Sequence, residues 1–163
     1  TMYQSALPIW LTIAVALTLL SRPVQAQDKA NALAIIVNKA SPLDDVSKDL
    51  AAKYFKAEKT KAPDGTKIVI LMQDTGRPER AAALKGIYKM SEAEYSDYFV
   101  GQTFTGAVAA APKALASGAA VKNQVANLPG GLGYIRASEA DDTVKVLKID
   151  GKTPEDPAYA FKL

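Results

Sequence analysis

The sequence predicts an α/β fold, and three observations carry that expectation. Short apolar runs rich in branched residues alternate with segments whose apolar positions recur at helical spacing. Turn-forming residues separate the two kinds of segment. One junction, Pro129-Gly130-Gly131-Leu132-Gly133-Tyr134-Ile135, joins the end of an amphipathic helix to a buried strand through three glycines. Alternation on this scale is the pattern of helices packed on a largely parallel sheet.

Leu33 to Val37 is a continuous apolar run, as expected of a strand buried on both faces. After Asn38-Lys39-Ala40, the spacing predicts a helix with Ser41 as N-cap and Pro42 at its first position. Asp44 and Asp45 would favour its positive end, and Leu43, Val46, Leu50 and Tyr54 would share one face. Pro63-Asp64-Gly65 predicts a turn and Ile68 to Met72 a second strand. The loop Gln73-Asp74-Thr75-Gly76-Arg77 then opens a helix at Pro78, with Ala82, Leu84, Ile87 and Tyr88 inside. Ser91-Glu92-Ala93-Glu94 reads as a capping box for a third helix that ends near Gly101. A glycine- and alanine-rich connection precedes a helix from Ala119 to Leu128, which aligns Val121, Val125 and Leu128 before Pro129 forbids continuation. The glycines that follow imply a sharp turn or a close backbone approach. Thr143 to Ile149 is the last expected strand, and Lys152 to Leu163 an extended tail.

Ala6 to Leu20 is a nearly uncharged run, followed by Val24-Gln25-Ala26 with small residues where a signal peptidase reads. Residues 1–26 are therefore expected to be a secretory signal and 27–163 the exported, periplasmic domain. An uncleaved membrane anchor is the alternative, against which the run falls short of the roughly 20 residues a spanning helix needs. No basic residue precedes the run, and Thr1 stands before Met2. The formal charge of +3 falls to +2 on cleavage, because the leader holds Arg22 and no acid. That balance, with no basic stripe, does not point to nucleic acid.

The sequence contains neither histidine nor cysteine. Ser-His-Asp and Cys-His catalysis, His- and thiolate-based metal sites, disulfides and a lipid-anchored cysteine are thereby excluded. No Ser is followed three positions later by Lys, and Gly101 to Gly106 lacks the lysine and hydroxyl that complete a nucleotide loop. Enzyme chemistry is left with carboxylates such as Asp44-Asp45 and Asp141-Asp142, and adjacent side chains point apart. Binding rather than catalysis is expected, without cofactor, catalytic residue or metal. Two loops combine a strand end, a cation and a following proline: the one holding Asn38, Lys39 and Ser41, and the one holding Thr75, Gly76, Arg77 and Arg80. Arg77 cannot cap the helix at Pro78, so amides there are open to an anion, and its guanidinium suits an oxyanion. Solvated connecting loops are the bland alternative.

With the glycine junction, the chain carries Pro63-Asp64-Gly65-Thr66, Phe104-Thr105-Gly106 after Tyr98-Phe99, and Val144 to Lys152, in that order. In this arrangement it resembles the short substrate-binding proteins of phosphate ABC transporters over about Leu33 to Leu163. The resemblance implies a periplasmic-binding-protein-like (type II) three-layer sandwich with a reduced second lobe, acting as a monomer. It implies capture of inorganic phosphate or a related oxyanion, with an inner-membrane ABC permease as partner. Position by position it maps the anion loops onto Asn38, Lys39 and Ser41, and onto Thr75, Gly76, Arg77 and Arg80. The chain departs from full-length phosphate binders in having Thr75-Gly76-Arg77-Pro78 without a Ser-Gly-Thr loop. An exported interaction module that kept the fold without tight ligand binding is the second expectation, and a secreted carboxylate hydrolase the third.

Overall fold

Strand β1 (Leu33–Val37) is buried along its whole length, as its unbroken apolar run requires. The computed structural model describes residues 29–163, so the expected leader lies outside them. Among the described residues β1 belongs to a five-stranded mixed sheet with β3 (Val69–Gln73), β4 (Lys113–Leu115), β5 (Gly131–Arg136) and β6 (Lys145–Val146). The order is β4-β3-β5-β1-β6, with β3 parallel to β4 and β5, and β1 antiparallel to β5 and β6. A separate parallel ribbon pairs β2 (Asp45–Val46) with β7 (Lys148–Ile149).

Helices cover both faces of the sheet. Alternation along β5 sends Gly131, Gly133 and Ile135 to one face and Leu132, Tyr134 and Arg136 to the other. Helix α4 (Gly118–Asn127) lies on the glycine face, where a Cβ at Gly133 would meet Val121 Cγ1 at 2.7 Å and the Leu71 carbonyl oxygen at 3.2 Å. Gly130 likewise leaves room for the Lys67 carbonyl. The three glycines thus serve close approach of backbone and helix, the second of the two roles the sequence allowed.

On the opposite face lie α1 (Lys48–Phe55), α2 (Pro78–Ala83) with its π-helical continuation Leu84–Tyr88, and α3 (Glu92–Phe104). Their aromatic side chains build the core. Phe55 packs edge-on to Tyr88 at 5.9 Å and tilted to Tyr134 at 6.2 Å, and Tyr95 meets Tyr88 at 5.1 Å and Phe99 at 4.8 Å. Such pairs add about 0.5–1.5 kcal/mol each beyond the area they bury. The Ser91–Glu94 capping box forms as expected, and α3 continues past Gly101 to Phe104.

Three elements depart from the sequence reading. Residues 41–46 are not helical: the Ser41 hydroxyl accepts from the Leu43 amide, Asp45 and Val46 pair with β7, and Ser47 becomes the cap of α1 by accepting from the Leu50 amide at 3.1 Å. A long-range ladder and a second serine cap outcompete the first proline-bearing start, while Leu43, Val46 and Tyr54 are buried all the same. The last strand divides because Leu147, whose amide donates to the Ile35 carbonyl, separates β6, paired with β1, from β7, paired with β2. The tail, expected to be extended, runs through turns and is tied to β1. Leu33 donates to the Phe161 carbonyl at 3.0 Å, the Tyr159 hydroxyl donates to the Leu33 carbonyl at 3.1 Å, and both aromatic rings are buried.

Candidate functional site

The two loops expected to bind an anion sit at opposite ends of the sheet. Because β1 is antiparallel to β5, its exit loop lies where β5 begins: the Asn38 amide donates to the Gly131 carbonyl. The loop after β3, which is parallel to β5, lies where β5 ends, about 17 Å away at the rise of a strand. They do not form one site.

At the first end the polar groups are already engaged. The Asn38 side chain is buried, donates to the carbonyls of Val125 and Ala126 at 3.0 and 2.9 Å, and accepts from the Ala40 amide. It adds a donor to two carbonyls in the last turn of α4, where the i+4 amides run out. The buried Ser41 hydroxyl accepts from the Leu43 amide, and its carbonyl accepts from Lys145 Nζ at 2.6 Å. Lys39 is exposed. The asparagine and serine of the first mapped loop thus hold the fold.

The second end gathers the C-termini of two parallel strands, the position where open α/β sheets take ligands. Gln73, fully buried, is the hub. Its amide donates to the Tyr134 hydroxyl at 3.1 Å, its side-chain oxygen accepts from Arg77 Nε at 3.4 Å, and its carbonyl accepts from Arg80 Nη1 at 3.0 Å. Thr75 and Gly76 are exposed, and Gly76 adopts φ +90°, a turn that favours glycine. Arg77 precedes Pro78 without a side-chain cap, as expected.

Arg80 departs from its expected role. It is buried, its Nε donates to both Glu92 oxygens at 3.0 Å and its Nη2 to Oε1, and its guanidinium lies 4.9 Å over the Tyr95 ring. Hydrogen bonding to Glu92 raises the arginine above its ordinary range and holds the Glu92 carboxyl below its own. Burial pushes the Tyr95 phenol up to about 12. Arg80 therefore knits α2 to α3, with its charge matched by Glu92.

Arg136, at the end of β5, shares the Glu79 carboxylate with Arg77. Its Nε and Nη2 donate to Oε1 of Glu79 at 3.0 and 2.8 Å. Glu79 is 2% exposed, its Oε2 makes no hydrogen bond, and Arg77 Nε stands 3.7 Å from that oxygen. Burial pushes the Glu79 carboxyl up, but the Arg136 hydrogen bond, its own amide and the two guanidinium charges hold it below the usual carboxylate value. Arg77 and Arg136 remain about two-fifths exposed. Both Nη nitrogens of Arg77 and Nη1 of Arg136 make no hydrogen bond among the described residues. Sequence reasoning missed Arg136, Glu79 and Gln73. The available signal was a cation closing an otherwise apolar strand at its C-terminal end.

No family profile and no curated protein matches the chain. Solved structures do. The chain superposes on an ABC-type phosphate transport receptor from Vibrio cholerae with a TM-score of 0.63 and 19% identity, over 76% of this chain and 48% of that one. It also superposes on PstS from Borrelia burgdorferi with a TM-score of 0.61 and 15% identity, over 81% and 54%. The chain has a periplasmic-binding-protein-like α/β fold. A possible phosphate binding protein from Planctomyces limnophilus matches at a TM-score of 0.55 and 14% identity, over 82% and 45%. The chain spans about half the length of these receptors, so the resemblance read from the sequence holds for the fold of a partial lobe.

Proposed function

We propose that the chain is a substrate-binding protein that captures a small oxyanion, phosphate or a related ion, at the ends of β3 and β5. The observation that carries this reading is the pair of part-exposed guanidiniums, Arg77 and Arg136, steadied by one buried carboxylate where two parallel strands end. Thr75 and Gly76 supply a hydroxyl and exposed backbone beside them. Planar guanidiniums with donors to spare, Nη1 and Nη2 of Arg77 and Nη1 of Arg136, suit an oxyanion, and each charge-assisted bond contributes about 1.5–3 kcal/mol. Export through the leader, residence of 27–163 in the periplasm and delivery to an inner-membrane ABC permease complete the proposal, supported by the fold shared with phosphate receptors. No step of it requires a catalyst.

Calorimetric titration of the full chain with phosphate, sulfate and acetate tests it. Arg77→Ala and Arg136→Ala should each weaken the bound ion about ten- to a hundredfold, while Lys113→Ala, on the exposed edge strand β4, should not. An exported interaction module is the second reading. It draws on the exposed apolar residues of α3, Val100 at 66% and Phe104 at 91% exposure, and it gains if no anion binds at millimolar concentration.

A further inference from the structure

We propose that the end of α3 and the connection after it dock on an anionic lipid bilayer, with Phe104 entering the apolar layer and lysines meeting the headgroups. The inference does not depend on anion capture, and it commits the exposed apolar residues of α3 to one occupant. Between Asp97 and Lys113 the sequence carries no charged residue. Within that stretch Val100 and Phe104 share one face of α3 and are 66% and 91% exposed. Beyond them Ala107 and Ala109 to Ala111 are exposed as well. A contiguous apolar surface of this kind marks a place of contact.

Charge chooses the occupant. Two open grooves meet at Ala111, one bounded by Val100 and Phe104, the other by Lys67, Ile68 and Ala107 to Ala111, and no carboxylate lines the second. The hairpin that carries Lys67 is closed by the Ala62 amide on the Thr66 carbonyl and the Ile68 amide on the Thr60 carbonyl, which sets Lys61 opposite Lys67. Both lysines are exposed, and neither pairs with a carboxylate among the described residues. The acid between them, Asp64, accepts from the Thr66 amide and hydroxyl, each at 2.9 Å. At the root of the hairpin Glu58 and Lys59 offset each other. The acids of α3 are held back, with Asp97 about 10 Å before Phe104 at the rise of a helix. An apolar tip beside unpaired cations suits an anionic interface. A second copy packed symmetrically on the same surface would gather both pairs of lysines at one interface. A fluid acyl layer, unlike a folded partner, needs no shaped pocket to receive a side chain as exposed as Phe104.

The full chain has no cysteine, so Ala107→Cys carries a single environment-sensitive fluorophore close to Phe104. Vesicles of equimolar phosphatidylcholine and phosphatidylglycerol are the probe, and vesicles of phosphatidylcholine alone the control. We expect the emission to shift to the blue on the anionic vesicles and partitioning to be about tenfold weaker on the neutral ones. That preference should vanish near 1 M salt, where the screening length is about 3 Å. In the labelled chain Phe104→Ser should weaken partitioning at least about tenfold, and Lys61→Gln and Lys67→Gln about fivefold each. All three side chains are exposed, so the melting temperature should not move. A fluorophore that stays in water overturns the inference, including the case in which the expected leader alone carries the chain to the vesicles. Equal partitioning on both lipids overturns it, as does unchanged partitioning of Phe104→Ser. A blue shift that grows with protein concentration in the absence of vesicles assigns the surface to a second copy and overturns it too. Anion capture is decided separately by the calorimetric titration, so the failure of one reading leaves the other standing.

Discussion

Arg77 and Arg80 are three positions apart, both basic and both beside a helix start, yet the structure gives them different work. Arg77 belongs to the turn and reaches Gln73 and Glu79, whereas Arg80 sits one helical step further and points at Glu92, twelve residues on. That partner could not be read from local sequence, where Arg80 stood only as a cation beside a helix start. Arg80→Ala should therefore lower stability by about 2 kcal/mol, seen as a lower melting temperature, and change anion affinity little. A loss of binding as large as that of Arg77→Ala would return Arg80 to the site. Gly133 makes the complementary case, since its need for space was legible in PGGLGYI even though the cause, Val121, was not. Gly133→Val should cost about 1–3 kcal/mol through overpacking against α4. An unchanged melt would mean that α4 moves off the sheet at little expense.

Capping boxes and glycine junctions are local, and at the level of elements they were legible. Ser91 and Glu94 exchange bonds of 2.7 and 3.2 Å as their spacing required. Ser91→Ala should cost about 1 kcal/mol in a denaturant melt, and no change would mean that packing of Tyr95 and Phe99 alone fixes the start of α3. Strand direction was not legible. Alternating strands and helices suggested parallel neighbours, with every strand's exit loop at one end. The antiparallel pairing of β1 with β5 instead carries Asn38, Lys39 and Ser41 to the far end. The helix expected from Pro42 failed for a similar reason, because Asp45 and Val46 find their partners a hundred residues away in β7.

Taken whole, the chain carries its ionic ties at the acid and alkaline extremes of pH. Glu79 and Glu92 are held below their ordinary value of 4.5 in the folded state, so their stabilisation is present above that pH and is lost as the pH falls through the lower folded values. Tyr95 moves the other way. Raised from 10.0 to about 12, it stabilises fully below pH 10 and ceases to do so as the pH climbs towards about 12. Melting temperature should thus be flat through neutrality and drop at both ends, and a step near neutral pH would contradict that balance. The central claim is about place: an oxyanion sits where β3 and β5 end. Backbone amide shifts recorded while phosphate is added to isotopically labelled protein test it most directly. The account predicts changes concentrated at Asp74 to Arg80, Ser117 to Ala120 and Tyr134 to Ala137, while changes centred on Asn38 to Ser41, at the opposite end of the sheet, would contradict it.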